Sequence, residues 1–130
     1  MSEEFKVEIV NPEKSFFSKE DVTEVVVPAF EGEMGILKDH VSLITFLRPG
    51  IITVKQNNQE IKFFVEEGTV EFSKNNLLIL TSTAKKLSDF TKDDLNDLIK
   101  RSQEKIDQKD ISDKEKYLLS HKIDVLKRVN

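Results

Sequence analysis

Alternation of apolar and polar residues governs the first 88 positions of the chain, and a period near 3.6 takes over after them. Phe5, Val7 and Ile9 alternate with Lys6 and Glu8, and Asn11-Pro12 closes that strand. Phe16-Phe17 reads as a second short strand. Residues 22–27 read as a third, whose Val25-Val26-Val27 run suits a strand covered on both faces, with Pro28 ending it. Gly32 and Gly35 break the pattern between Phe30 and His40, which predicts a long connection with at most a short strand at residues 34–37. The sheet resumes at residues 42–47, and Pro49-Gly50 makes a turn. Residues 51–56 then pair with residues 61–66 across Asn57-Asn58-Gln59, with Ile61, Phe63 and Val65 on the buried face. Gly68 permits another reversal before Val70 and Phe72, Lys74-Asn75-Asn76 turns the chain again, and Leu77-Leu78-Ile79-Leu80 reads as a central strand. A short closing strand near Lys86 brings the count to about ten, enough for two stacked sheets.

The helical part opens at Thr91, which with Asp94 resembles a capping box, and Asp93-Asp94 suit the positive end of the helix dipole. Leu95, Leu98, Ile99 and Ile106 share one face, so an amphipathic helix runs to about residue 107. A second start follows at Ser112, with Glu115 three residues on, and Leu119, Ile123 and Leu126 form its stripe. Lys127 and Arg128 sit at the negative end. The short connection forces a sharp reversal, so the helices form an antiparallel hairpin. Each stripe holds only three or four apolar side chains, and helices of this length are marginal alone. The hairpin should therefore need the β part or a partner to hold it, and exchange between those two surfaces is expected. The fold class is α+β: an N-terminal ten-stranded antiparallel β-sandwich over residues 1–88, then a C-terminal antiparallel α-helical hairpin over residues 89–130.

Composition narrows the function. The net charge of -4 argues against nucleic acid, because phosphate binding needs clustered Lys and Arg. Residues 1–88 carry 14 acids and 10 bases and residues 89–130 carry 10 of each, so the whole excess (14 − 10 = 4) belongs to the β part. There is no cysteine, hence no disulfide framework, thiolate site or thiol nucleophile. The acidic start of the chain leads straight into alternating residues, without the apolar stretch of a signal peptide or membrane helix, so membrane contact is expected only through a partner.

No catalytic constellation assembles. His40 and His121 lie in different parts of the chain without zinc-site spacing; His40 is expected to shape its loop and His121 to be solvated. Glu31 and Glu33 alternate on a Gly-containing loop with nothing nearby to separate their pKa values, which suits partner-facing acids better than acid-base chemistry. Gly32-Glu33-Met34-Gly35 mimics a GxxG clamp but lies between strands and lacks flanking bases. Asp107, Asp110 and Asp113 lack calcium-loop spacing. No catalytic, cofactor-binding or metal-ligating residue is assigned. A free-standing sandwich that binds a protein or ligand, with a helical tail, is the rival reading, and a small enzyme is the weakest.

Taken in order, Glu31-Gly32-Glu33-Met34-Gly35-Ile36-Leu37, His40, Leu43-Ile44-Thr45 and Arg48-Pro49-Gly50-Ile51-Ile52 resemble the E-G-E-L-G-I-L-P-G-H-A-P-L-L-T…K-P-G stretch of the epsilon subunit of F-type ATP synthase. Phe17-Ser18, Glu67-Gly68 with Val70-Glu71, and Leu80-Thr81-Ser82-Thr83-Ala84 extend the likeness over essentially the whole chain. The resemblance implies a sandwich of two five-stranded sheets that packs on the gamma subunit and sits on the c-ring loops, coupling them in proton-driven ATP synthesis. It implies Glu31, Glu33, Met34, Gly35 and His40 at that interface, and a peripheral position on the cytoplasmic face of the bacterial inner membrane. The hairpin would lie beside the sandwich or extend along gamma towards the alpha and beta subunits, where it inhibits ATP hydrolysis. Lys38-Asp39 and Val41-Ser42 stand where the family has Pro-Gly and Ala-Pro. Asp89-Phe90-Thr91-Lys92 does not reproduce the I/L-D-x-x-R-A motif through which some bacterial members of the family bind ATP, so the resemblance does not carry nucleotide sensing over to this chain.

Overall fold

The computed structural model describes residues 4–13 and 15–129; the acidic start at Met1, Ser2 and Glu3 lies outside the described residues, as do Lys14 and Asn130. Ten strands precede the helices: β1 (Phe5–Val10), β2 (Ser15–Val22), β3 (Glu24–Ala29), β4 (Gly32–Ile36), β5 (Leu43–Leu47), β6 (Gly50–Gln56), β7 (Gln59–Val65), β8 (Gly68–Ser73), β9 (Asn76–Leu80) and β10 (Lys85–Lys86). A single 3-10 turn at Leu87–Asp89 leads to α1 (Lys92–Ile106) and α2 (Asp113–Val129).

Hydrogen bonding runs in the order β10-β7-β6-β3-β5-β8-β9-β1-β2, with β4 on β3 as a branch. Among the described residues every ladder is antiparallel but one: β1 lies parallel to β9, from Lys6 against Asn76 to Val10 against Leu80. Local alternation cannot reveal this pairing, because about seventy residues separate the two strands and an alternating strand satisfies either direction. The ladder folds over so that its inward rows meet in one core, which holds Val7, Ile9, Val25, Val27, Ile52, Phe63, Val70, Phe72, Leu77 and Ile79. Phe17 of β2 meets Phe63 of β7 edge-on at 5.0 Å between centroids, so strands from opposite ends of the path face each other across that core.

Three local expectations change. The second strand is eight residues long and takes in Val22; the break falls at Thr23, so the third strand begins at Glu24 rather than at Val22. Pro28 does not end β3 but lies inside it, where the strand leaves β6 for β5; its carbonyl accepts from the Arg48 N–H at 2.9 Å. At that change of partner the missing N–H leaves no ladder bond broken. The stretch around Gly32 and Gly35 is a full strand, β4, joined to β3 by the two-residue turn Phe30-Glu31. Two other tight turns follow the expected chemistry. Asn57-Asn58 closes β6 onto β7, and Lys74-Asn75 closes β8 onto β9 with φ of 51° and 60°. Gly68 opens β8 at φ +151°, where an added Cβ would stand 2.4 Å from the Leu80 carbonyl oxygen.

The helices start where the caps place them. Thr91 accepts from the Asp94 N–H at 3.1 Å while Asp94 accepts from the Thr91 N–H at 2.9 Å, completing the box. The Ser112 hydroxyl accepts from the Glu115 N–H at 3.1 Å in the same way. The hairpin packs on the outward row of β6 and β7. Leu95, Val125 and Leu126 join Phe64 in a second buried cluster, flanked by Ile51, Leu87, Phe90, Leu98, Ile99 and Val129. Ile51 and Phe64 are register partners, so the helices cover one cross-strand pair of the sheet's outer face.

Candidate partner interface

The residues expected at the interface divide between the two ends of β4. Glu31 sits at the tip of the β3–β4 turn, with Glu33 exposed and Met34 packed against the sandwich core. Gly35 pairs with Val26, and a Cβ there would lie 3.0 Å from the Glu24 carboxylate. His40 lies beyond the other end, in the loop before β5, and β4 itself spans about 13 Å at roughly 3.3 Å per residue. The five residues therefore do not form one cluster.

Their local roles differ as well. The Glu31 carboxylate accepts from the hydroxyl of buried Thr45 at 3.0 and 3.1 Å, so this acid also satisfies a group in the sheet. His40 shapes its loop as expected: its backbone N–H donates to the Leu37 carbonyl at 3.1 Å, Nδ1 lies 2.8 Å from the Val41 carbonyl, and its ring meets Phe72 edge-on. Asp39, which replaces the family's glycine, adopts φ 66°, the left-handed region that glycine enters freely and Asp tolerates. A reciprocal pair with Asn75 holds it there: the Asp39 N–H donates to Asn75 Oδ1 at 2.7 Å, and Asn75 Nδ2 donates back at 3.1 Å.

A feature that sequence reasoning missed lies on the uncovered sheet. Along β5, Leu43, Thr45 and Leu47 turn inward, which leaves Ile44 and Phe46 outward at 75% and 61% exposure. The ladder extends these positions sideways: Phe46 lies against Thr69, Thr69 against Leu80, and Leu80 against Val10. The neighbouring row runs Ile44, Glu71, Leu78, Glu8. Leu80 is 46% exposed, and Phe30 and Val41 add apolar surface at the two ends of the same sheet. Phe30, Phe46 and Leu80 also line an open groove of about 780 Å³, which Leu118 of α2 closes on one side. Consecutive apolar residues in residues 43–47 signalled a strand but not which of its faces would stay bare.

Residues 4–87 match the family described as ATP synthase, Delta/Epsilon chain, beta-sandwich domain. The whole chain is 59% identical to the whole ATP synthase epsilon chain of Pelagibacter ubique. The chain belongs to the ATP synthase epsilon chains. Its function is accordingly that of an epsilon subunit of ATP synthase. It is also 35% identical to the mitochondrial ATP synthase subunit delta of Schizosaccharomyces pombe, over 84% of this chain and 66% of that one. In the cryo-EM structure of the Euglena gracilis mitochondrial ATP synthase, one chain superposes with a TM-score of 0.82 at 18% identity, covering 98% of this chain and 82% of that one. That likeness shows the same fold over nearly the whole of this chain.

The second place that sequence reasoning missed joins the sandwich to the hairpin of this epsilon chain. Arg48, in the β5–β6 connection, donates from Nη1 to the Tyr117 hydroxyl at 3.1 Å and lies 3.3 Å from Nε2 of His121. Tyr117 and His121 stand one turn apart on α2 with their rings edge to face at 4.7 Å. Lys122 pairs with Glu66 of the sandwich beside them. His121 is thus half-buried against the sheet rather than solvated, because α2 turns that side towards β6. Burial and the Arg48 guanidinium hold its pKa below the ordinary value, with Asp124 opposing them. Among the described residues no helix is long and apolar enough to cross a membrane, and no group of three or more His, Asp or Glu converges as a metal site.

Proposed function

We propose that this epsilon chain is a non-catalytic rotor component whose sandwich couples the gamma subunit to the c-ring and whose hairpin regulates ATP hydrolysis. The observation that carries the reading is the bare apolar strip of Ile44, Phe46 and Leu80 on an otherwise well-packed sandwich. Exposed apolar side chains on neighbouring strands, interspersed with Thr69 and Glu71 and bordered by Glu8, suit a protein partner, here gamma. Glu31, Glu33, Met34, Gly35 and His40 belong, in this reading, to the interface with gamma and the c-ring loops; the negative surplus of the β part suits polar and basic loops. The sandwich of residues 1–88 acts as the stiff element and residues 89–130 as a separable arm, which reaches the alpha and beta subunits when extended. Likeness to epsilon chains supports a peripheral position on the cytoplasmic face of the bacterial inner membrane, with membrane contact through partners and coupling to proton flow.

Two experiments test this. Phe46→Glu should abolish co-purification with gamma while the isolated chain keeps its circular dichroism and melting behaviour; undiminished capture would remove the proposed seat. Hydrolysis by the assembled complex should rise when residues 89–130 are deleted, and an unchanged rate would remove the regulatory role of the arm.

A further inference from the structure

We propose that Arg48, Tyr117 and His121 form a proton-controlled latch, which holds the hairpin on the sandwich while His121 is neutral and releases it when His121 is protonated. The proposal rests on the reading of residues 89–130 as a separable arm, and supplies the condition under which that arm lets go.

The geometry fixes the protonation state of the closed form. A guanidinium carries donors only, so the 3.3 Å approach of Arg48 Nη1 to His121 Nε2 is a hydrogen bond only if Nε2 offers its lone pair. The second hydrogen of Nη1 serves the Tyr117 hydroxyl at 3.1 Å, and the edge-to-face packing of Tyr117 on His121 fixes the ring. One donor from the sandwich thereby clamps two residues of α2 separated by a single turn. A proton on Nε2 would remove the acceptor and set two cations against each other at hydrogen-bond distance.

The charges around the ring reinforce this outcome. Arg48 faces it from the sandwich and Arg128 from α2, and both disfavour a second proton; Asp124, also on α2, favours it. From α1, Lys105 lines the adjoining crevice with Glu66 and Lys122, whose ion pair makes a second polar tie between α2 and the sandwich. Docking lowers the proton affinity of His121 from its ordinary value of 6.5. Its contribution to docking is therefore complete above that value and is lost as pH falls through it towards the lower docked pKa. One proton changes the docked-to-undocked ratio by at most about tenfold per pH unit.

The chain has no cysteine, so a dye pair can be placed at Asn58→Cys on the β6–β7 turn and Lys116→Cys on α2, both exposed. Energy transfer in the full chain should fall as pH drops from about 7.5 to about 5.5, and His121→Gln, which keeps a neutral polar side chain, should remove that dependence. A pH response of unchanged size in His121→Gln overturns the latch. If transfer is constant with pH in the parent chain but drops in Leu126→Ala, the arm moves and the latch alone is wrong. If Leu126→Ala also leaves transfer constant, the separable arm fails and the latch with it.

Discussion

Leu126→Ala separates an arm held on a sheet from a hairpin that is part of one cooperative unit. Leu126 is 0% exposed and shares its cluster with Phe64 of β7, Leu95 of α1 and Val125, so it touches the interface from the helical side alone. Removing a buried leucine side chain costs about 2–5 kcal/mol, the transfer loss plus the cavity left where neighbours cannot collapse. Ile51 and Phe64 stand on a hydrogen-bonded ladder and are not free to fill the gap, so the site lies away from the low end of that range. Even about 2 kcal/mol multiplies the undocked population roughly 30-fold. Native-state hydrogen exchange read by mass spectrometry should show this as lost protection in residues 92–129, with β1, β8 and β9 unchanged. Equal loss of protection in the sandwich strands would show that helices and sheet open together, and the reasoning would be wrong.

Other consequences can be measured directly. Glu31→Ala strands the hydroxyl of buried Thr45 and should cost about 1–3 kcal/mol in urea denaturation, whereas Glu31→Gln keeps an acceptor and should cost less. Gly68→Ala meets both a positive φ and the Leu80 carbonyl, so the sandwich should melt several degrees lower, at about 4–8 °C per kcal/mol for a domain of this size. Hydrogen bonds from the Thr91 backbone and hydroxyl hold the Asp94 carboxyl below its ordinary 3.8. Its capping contribution is complete above that value and is lost as pH falls below it towards the lower folded pKa, so the protection of amides at the start of α1, relative to the unstructured exchange rate, should decline there in the parent chain but not in Asp94→Asn. Charge reversal at Glu33, which is exposed, should weaken assembly and leave the melting temperature unchanged; an unaltered membrane ATPase would count against its place in the interface.

Local chemistry was legible wherever one stretch of chain carries its own instruction. The Thr91 and Ser112 caps, the Asn57-Asn58 and Lys74-Asn75 turns, and the inward rows Phe5-Val7-Ile9 and Phe63-Val65 follow from side chains that bond or pack within a few residues. The candidate site was legible in part. Glu31 to Gly35 do form one exposed hairpin, but their separation from His40 follows from β4 being a strand rather than a loop. Two glycines in five residues read as irregular backbone; pairing with residues 25–29 overrode that preference by satisfying the backbone groups of both segments.

By itself, the sequence determined the two periodicities, the punctuation between elements and membership of the epsilon chains. It also determined which residues share a face, since alternation is a property of the strand alone. Which faces are covered was decided by the tertiary structure. Ile51 and Phe64 on one sheet face and Ile44 and Phe46 on another look alike along the chain, yet the hairpin lands on the first two and leaves the others exposed. The parallel β1–β9 ladder and the contact of Arg48 with His121, 73 residues away, are of the same kind. Such contacts depend on where distant segments meet, and the free energy of that meeting belongs to the assembled core rather than to either segment.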